Sequence, residues 1–243
     1  MTTNFYAPPD QIRGDRVVLP DDEARHARSA LRAEAGDEIV VVDGEGGWYR
    51  VRLDHVASGQ VVGHVVETRR EVGEPDVAVT VGLGLLSKRS RFETFAEKAV
   101  ELGVRRIVPL RTRHTEPSDV RADRVRRVMV AALKQCRRSR LPVLAAPQSL
   151  DGLLGATSAD VRLLCHGGDE HPPITGALEE AGGHDDVLAL VGPEGGFAPD
   201  EVTAATEAGC RPVSLGPRRL RAETAGLVAV NAVMLRGSRR PAR

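Results

Sequence analysis

Only three cysteines occur in the 243 residues, Cys136, Cys165 and Cys210, far apart and with no Cys-x-x-Cys pair. That spacing supports neither a disulfide framework nor a zinc site. The seven histidines show no His-x-x-x-His spacing, and Cys165-His166 is adjacent rather than spaced for a metal, so no metal is expected. No apolar run approaches the roughly 18 residues of a membrane-spanning helix, which predicts a cytoplasmic protein. Nucleotide and hydrolase signatures are missing as well. The chain has no Gly-x-x-x-x-Gly-Lys-Ser/Thr and therefore no P-loop. Gly82-Leu83-Gly84-Leu85-Leu86 lacks the third glycine and the helix start of a dinucleotide fingerprint. Its glycines instead predict something packed close against a strand. Ser87, Ser90 and Ser139 have no Gly-x-Ser-x-Gly elbow around them, so a hydrolase triad has no support.

Net charge is absent too, with 34 basic and 34 acidic side chains, so the total says nothing about partners. The distribution is more informative. Residues 1–73 carry 9 basic against 13 acidic groups, residues 105–140 carry 12 against 3, and residues 211–243 carry 8 against 1. Two basic surfaces on a neutral body suit a polyanion, although solvated helix faces would produce the same counts. Arginine outnumbers lysine by 31 to 3. Arginine favours bidentate phosphate contact, and genome base composition can produce the same bias.

Residues 1–73 read as mostly β. The β-rich runs Arg16–Pro20, Glu38–Gly44, Trp48–Val56 and Gln60–Arg69 are bounded by turn residues, and Asp43-Gly44-Glu45-Gly46-Gly47 marks a hairpin. A short helix fits Asp21–Arg32 with Asp21 as its cap. The linker is read at Gly73-Glu74-Pro75, which divides the chain into 1–73, a small barrel, and 74–243. Beyond it strands and helices alternate. Val77–Leu86 is a strand, and Phe92, Phe95, Ala96 and Ala99 then make a helical stripe that Gly103 stops. Arg106–Leu110 is the next strand. Asp119 is read as the cap of a helix whose stripe is Val125, Val128, Met129, Ala132, Leu133 and Cys136. The continuous apolar runs Val161–His166, Val187–Gly192 and Pro212–Gly216 suit strands covered on both faces of a parallel sheet. Pro199 opens a helix that Gly209 closes, and Ala222–Leu235, apolar nearly all round, is expected to be buried. The second region is thus α/β.

In such sheets ligands bind at the carboxyl ends of the strands. Three loops there carry unusual residues: Cys165-His166-Gly167-Gly168, Gly192-Pro193-Glu194-Gly195-Gly196, and Gly216-Pro217-Arg218-Arg219-Leu220-Arg221. Glycine lets the backbone come close, so converging loops would hold a ligand by N–H and C=O groups, a mode that suits an adenine edge and ribose hydroxyls. Three ordinary strand-to-helix turns are the plainer reading.

Leu190-Val-Gly-Pro-Glu-Gly-Gly-Phe-Ala-Pro-Asp-Glu201 followed by Leu215-Gly-Pro-Arg-Arg-Leu-Arg-Ala-Glu-Thr-Ala225 resembles the C-terminal signature of the RsmE family. Lys88-Arg-Ser-Arg-Phe-Glu93, Lys98-Ala-Val-Glu-Leu-Gly-Val104 and Gln135-Cys-Arg-Arg138 with Pro142 resemble further family blocks. His26-Ala-Arg-Ser-Ala-Leu-Arg32, Gly36-Asp37 and Asp43-Gly44 resemble its N-terminal domain. The sequence departs from the family pattern at Val100, Lys134 and Ala222.

The resemblance implies a SPOUT-type parallel sheet with a trefoil knot, preceded by a PUA-like β-barrel that binds RNA. It implies a homodimer that uses S-adenosylmethionine (SAM) to methylate N3 of one uridine in 16S, small-subunit ribosomal RNA, in an assembled or nearly assembled 30S particle. The cofactor set carried over is Cys165, His166, Gly167, Val191, Gly192, Pro193, Glu194, Gly195, Gly196, Leu215, Gly216, Leu220, Arg221, Thr224 and Ala225. Candidate RNA contacts are His26, Arg28, Arg32, Lys88, Arg91, Arg113 and Arg138.

Methylation at uracil N3 needs a proton removed or loosened, and charge on O2 and O4 stabilised. Arg221, a permanent cation with a rigid donor fork, is the candidate stabiliser; an ion pair or phosphate contact is the competing role. Glu223 and Glu194 are the carboxylates of the signature loops. Glu223 is the candidate base, with a helix cap as its competing role, and Glu194 is otherwise a loop-shaping residue.

Overall fold

A computed structural model of the chain describes residues 4–57, 59–116, 119–167 and 170–237. It divides into two compact units, Met1–Glu74 with Val130–Leu141, and Pro75–Met129 with Pro142–Arg243. A single boundary after Gly73 therefore omits Val130–Leu141, whose contacts are with the first unit.

In the first unit β1 (Asn4–Tyr6), β2 (Ile12–Arg13) and β3 (Arg16–Val18) precede α1 (Asp21–Ser29). Strands β4 (Glu38–Val42), β5 (Gly47–Ala57) and β6 (Gln60–Arg70) follow. Their order is β1-β4-β5-β6-β3-β2, and β1 with β4 is the parallel pair in an otherwise antiparallel sheet. Along β5, Val51 and Leu53 are buried while Arg50, Arg52 and Asp54 are exposed. That is the period-two pattern of a sheet with one wet face. The inward side chains meet Phe5, Val17, Leu19, Ala24, Ala27, Val41 and Val61 in one core. At the β4–β5 turn Asp43 accepts the backbone N–H of Glu45 and of Gly47, at 2.7 and 2.8 Å, and the Tyr49 hydroxyl at 3.0 Å. Asp21 is not the cap of α1: Pro20 stands there and no side chain caps the helix. The helix ends at Ser29, short of Arg32, which has left-handed backbone at φ 52°.

The second unit holds β7 (Ala78–Gly84), α2 (Arg89–Leu102), β8 (Arg106–Arg111) and the start of α3 (Ala122–Cys136). Then come β9 (Val143–Leu144), β10 (Gln148–Ser149), α4 (Leu150–Ala156), β11 (Val161–Cys165), α5 (Ile174–Ala181) and β12 (Asp186–Val191). The last elements are α6 (Pro199–Glu207), β13 (Arg211–Val213) and α7 (Ala222–Gly237). Every strand pair here is parallel, in the order β10-β8-β7-β12-β11-β13 with β9 beside β8. Helix α7 packs on β7, β12, α2 and α5, whereas α4 packs on α6. The middles of the central strands are consequently buried, which is why they read as unbroken apolar runs. Helix α2 ends as its sequence foretold, with Gly103 at φ 100° donating back to Ala99 and Val100. Two expectations are corrected. Helix α3 starts at Ala122 rather than being capped by Asp119. Helix α7 is not buried all round, because Leu235 is 61% exposed and Asn231 faces solvent.

The outcome is an α/β unit on a parallel sheet with a β-sheet unit at the N-terminal end. Among the described residues no helix is long and apolar enough to cross a membrane.

Candidate functional site

Three neighbouring strands set the site. Cys165 at the end of β11 stands in register with Val191 at the end of β12 and with Val213 at the end of β13. Chains leaving three parallel strands at one level must emerge together, so their loops converge. They enclose a cleft of about 510 Å³, within the usual size of a small-molecule site. Its lining includes Cys165, His166, Gly167, Val191, Gly192, Pro193, Glu194, Gly195, Gly196, Leu215, Gly216, Leu220, Arg221 and Ala225. Phe197, Arg218, Arg219 and Ala222 also line it; the sequence placed them in the loops and signature strings but gave them no part in binding. Thr224 is exposed and does not line it. Gly168 lies outside the described residues.

The cleft depends on backbones that nearly touch. A Cβ on Gly84, at the end of β7, would stand 2.3 Å from the Pro193 nitrogen, and one on Gly192 would stand 2.9 Å from the Gly196 carbonyl carbon. Both distances are shorter than any real side chain tolerates. Of the two glycines that fail as a dinucleotide signature, Gly84 is thus the seat of the Gly192–Gly196 loop, while Gly82 makes room for the side chains of Leu110, Leu153 and Leu190.

A polar network fastens that loop. Ser87 donates to Glu194 Oε1 through its hydroxyl at 2.7 Å and its backbone N–H at 3.2 Å. Arg91 Nη1 lies 3.4 Å from the same oxygen, and its Nε lies 3.6 Å from Glu223 Oε1. Burial raises the Glu194 pKa, but hydrogen bonds from Ser87 and the Arg91 charge outweigh it and hold the carboxyl below its ordinary value. Glu194 is therefore an anion at neutral pH, suited to shaping the loop and unsuited to collecting a proton. Glu223 is 9% exposed, and its Oε2 is buried without a hydrogen-bond partner. A second tie comes from the segment after β8. His114 Nδ1 lies 3.3 Å from the Gly196 carbonyl, the Arg113 N–H donates to Glu201 at 2.9 Å, and the Arg113 guanidinium pairs with Asp200 at 2.6 Å. Burial pushes the Cys165 thiol up to about 12, so this lining residue is neutral and no nucleophile at ordinary pH.

The candidate RNA contacts fare unequally. Lys88 is exposed immediately before α2. Arg91 is committed to Glu194 and Glu223, and Arg113 to Asp200. Arg138 is corrected outright: it is 3% exposed, and its guanidinium donates to Glu74, which also accepts the N–H groups of Ser139 and Arg140. A buried cation with its carboxylate in place cannot also reach a phosphate. In the first unit His26 rests against the Phe5 ring at 5.8 Å, Arg28 donates to its own helix at Ala24, and Arg32 is exposed. Ser87, considered in the sequence only as a nucleophile, is the residue most clearly missed. Its partner lies 107 positions away, and no local signal announces such a contact.

Residues 73–234 match a family described as an RNA methyltransferase domain, and residues 19–65 match an RNA methyltransferase PUA domain. Ribosomal RNA small subunit methyltransferase E of Synechocystis sp. is 33% identical, with 95% of this chain and 76% of that protein covered. The protein of the same name from Mycobacterium tuberculosis is 32% identical, with 97% and 92% covered. Among solved structures, a probable rRNA-methyltransferase from Porphyromonas gingivalis has a TM-score of 0.88 at 32% identity, covering 97% of this chain and 98% of that one. A ribosomal RNA small subunit methyltransferase E from Neisseria gonorrhoeae bound to S-adenosyl methionine has a TM-score of 0.79 at 28% identity, with the same coverage. A glycine-seated cleft at the ends of parallel strands, an N-terminal PUA domain and these full-length likenesses agree, and the chain belongs to the ribosomal RNA small subunit methyltransferase E family.

Proposed function

We propose that this protein transfers the methyl group of S-adenosylmethionine to N3 of a specific uridine in 16S ribosomal RNA. The observation that carries this reading is the cleft of about 510 Å³ built by the Cys165, Gly192–Phe197 and Leu215–Arg221 loops. Its glycine-rich walls offer backbone groups to an adenine edge and ribose hydroxyls, the part of SAM that a phosphate grip would not recognise. When bound there, SAM supplies an electrophilic methyl on a sulfonium. The residues that would hold it are Cys165 to Gly167, Val191 to Gly196, Leu215, Gly216, Leu220, Arg221 and Ala225.

The rest of the chemistry belongs to the chain. Uracil N3 carries a proton that must be loosened, and the resulting charge spreads to O2 and O4. Arg221 is exposed on the wall of the cleft and presents a permanent cation to those oxygens. Glu223 follows it by two residues and is the candidate proton acceptor; its free Oε2 and the 3.6 Å contact of its other oxygen with Arg91 support either that role or a loop tie. Thr224, exposed and outside the lining, is not among the residues of the cleft. The finer reading also includes a C-terminal segment threaded as a trefoil knot, a homodimer, the cytoplasm as location and an assembled or nearly assembled 30S particle as substrate.

The direct test is methyl transfer from labelled SAM to small subunits that lack the modification, followed by mapping of the labelled nucleotide. One labelled N3-methyluridine per subunit is expected. Label on a ribose hydroxyl, or on transfer RNA alone, would refute the reading.

A further inference from the structure

The cleft has a charge balance that its cofactor cannot settle. Arg218, Arg219 and Arg221 stand on its wall within four residues, all exposed. None of their side chains has an ion pair or hydrogen bond to another described residue. The one carboxylate in the lining, Glu194, is already engaged by Ser87 and Arg91, and the buried Glu223 behind it faces Arg91 at 3.6 Å rather than these three arginines. SAM at neutral pH brings a sulfonium, an ammonium and one carboxylate, a net positive charge. A cation is thus asked to enter a cleft edged by three unmatched cations.

We propose that Arg218 and Arg219 grip backbone phosphates of the RNA that flank the target nucleotide, and that this RNA completes the electrostatics of the cofactor cleft. The inference rests on the SAM and RNA reading above and extends it. Guanidinium forks suit phosphate oxygens, and three clustered cations without carboxylates are what a polyanionic substrate requires. A consequence follows for affinity. Phosphates beside Arg218 and Arg219 cancel the repulsion felt by SAM, so RNA tightens SAM, and by linkage SAM tightens RNA by the same factor. Like charges about 8 Å apart across a wet cleft change an affinity roughly twofold each, and added salt weakens the effect.

The competing idea is that these arginines hold the carboxylate of SAM itself, and it predicts the opposite sign. The experiment compares the full-length protein with the R218A/R219A double variant and the charge-keeping R218K/R219K variant. Cofactor binding without RNA is measured by calorimetry at low salt, using SAM and the sulfonium-free S-adenosylhomocysteine. Methyl transfer to undermodified small subunits is measured at saturating SAM, and RNA affinity is followed against salt. We expect the alanine variant to bind SAM about two- to fourfold tighter than the unaltered protein, with a smaller change for S-adenosylhomocysteine. Its kcat/KM for subunits should fall at least tenfold, and its log–log salt slope should drop by roughly 1.4, about 0.7 for each lost phosphate contact to single-stranded RNA. The lysine variant should keep the slope. Support requires both tighter or equal SAM binding and the tenfold loss toward subunits; any other combination overturns the proposal, and a tenfold loss of SAM affinity assigns the arginines to the cofactor carboxylate. If the unaltered protein methylates no RNA, the functional reading fails separately, and the salt slope and cofactor titration still decide the role of the arginines.

Discussion

At the scale of single residues, the site turns on how charges are matched. Glu194 shows the logic. A carboxylate in a glycine loop could have been a base, but Ser87 and Arg91 stabilise its charged form and leave it a structural anion. Ser87→Ala should weaken SAM binding about three- to tenfold by calorimetry, the low end for a hydrogen bond to a charged group because Glu194 is partly exposed. The pH dependence has a definite sign. A carboxyl whose folded pKa is depressed contributes fully above its ordinary value, 4.5, and loses that contribution as pH falls through the lower folded value. The stability difference between the wild-type protein and the Ser87→Ala variant, read by urea unfolding, should therefore be full at neutral pH and shrink below about pH 4.5. Arg221 is the opposite case, an unmatched cation. Arg221→Ala should slow single-turnover methyl transfer, measured at saturating SAM, about 100- to 1000-fold, the usual cost of losing a donor to a developing oxyanion. A loss under tenfold would remove Arg221 from the chemistry.

At the scale of elements, close approach of backbones does the positioning. Gly84 ends β7 directly beneath Pro193, and Gly226 lets α7 come within 2.7 Å, measured from a hypothetical Cβ, of the buried Phe95 ring on α2. Gly84→Ala should push the Gly192–Pro193 turn outward and cost at least tenfold in SAM affinity. The fold should survive, because β7 keeps its ladder with β8 and β12; a calorimetric titration beside a thermal melt separates the two effects. Elements also show what a sequence reveals. The strands at Val161–Cys165 and Asp186–Val191 and the helices opened by Arg89 and Pro199 were readable because burial on one or both faces leaves a periodic trace. The helices α4 and α5 were not. They are only 7 and 8 residues long, too short for a stripe to stand out from an apolar loop. Strands β9 and β10 have two residues each and exist only because β8 is there to pair with them.

At the scale of the whole molecule, the units are not consecutive pieces of chain. The segment Val130–Leu141 belongs with residues 1–74, and Glu74 anchors Arg138 there in a buried ion pair with exposures of 8% and 4%. Lys134 adds a contact to Glu23 in the same unit. Removing residues 1–74 would strip that segment of its partners, leaving Lys134, Arg138 and Arg140 without the carboxylates of Glu23, Glu74 and Glu71. Simple truncation should thus yield a protein cleaved by protease within 130–141, whereas the full chain resists. Arg138→Ala in the full chain should cost about 3–5 kcal/mol in urea unfolding, because it leaves the Glu74 carboxylate buried without its counter-ion. A loss below 1 kcal/mol would mean that water reaches Glu74.

By itself the sequence determined the parallel-sheet unit, the separate β-rich start, the three glycine-bearing loops at strand ends and the family, since each leaves a local pattern in which neighbouring residues are enough. Only the tertiary structure decided that Ser87 and Arg91 secure Glu194, that Arg138 is a buried link and not an RNA contact, and that Arg218 and Arg219 stand unmatched on the cleft wall. The reason is physical: a side chain's charge is written in the sequence, but whether that charge is paired, buried or free depends on partners that folding brings from up to 107 residues away.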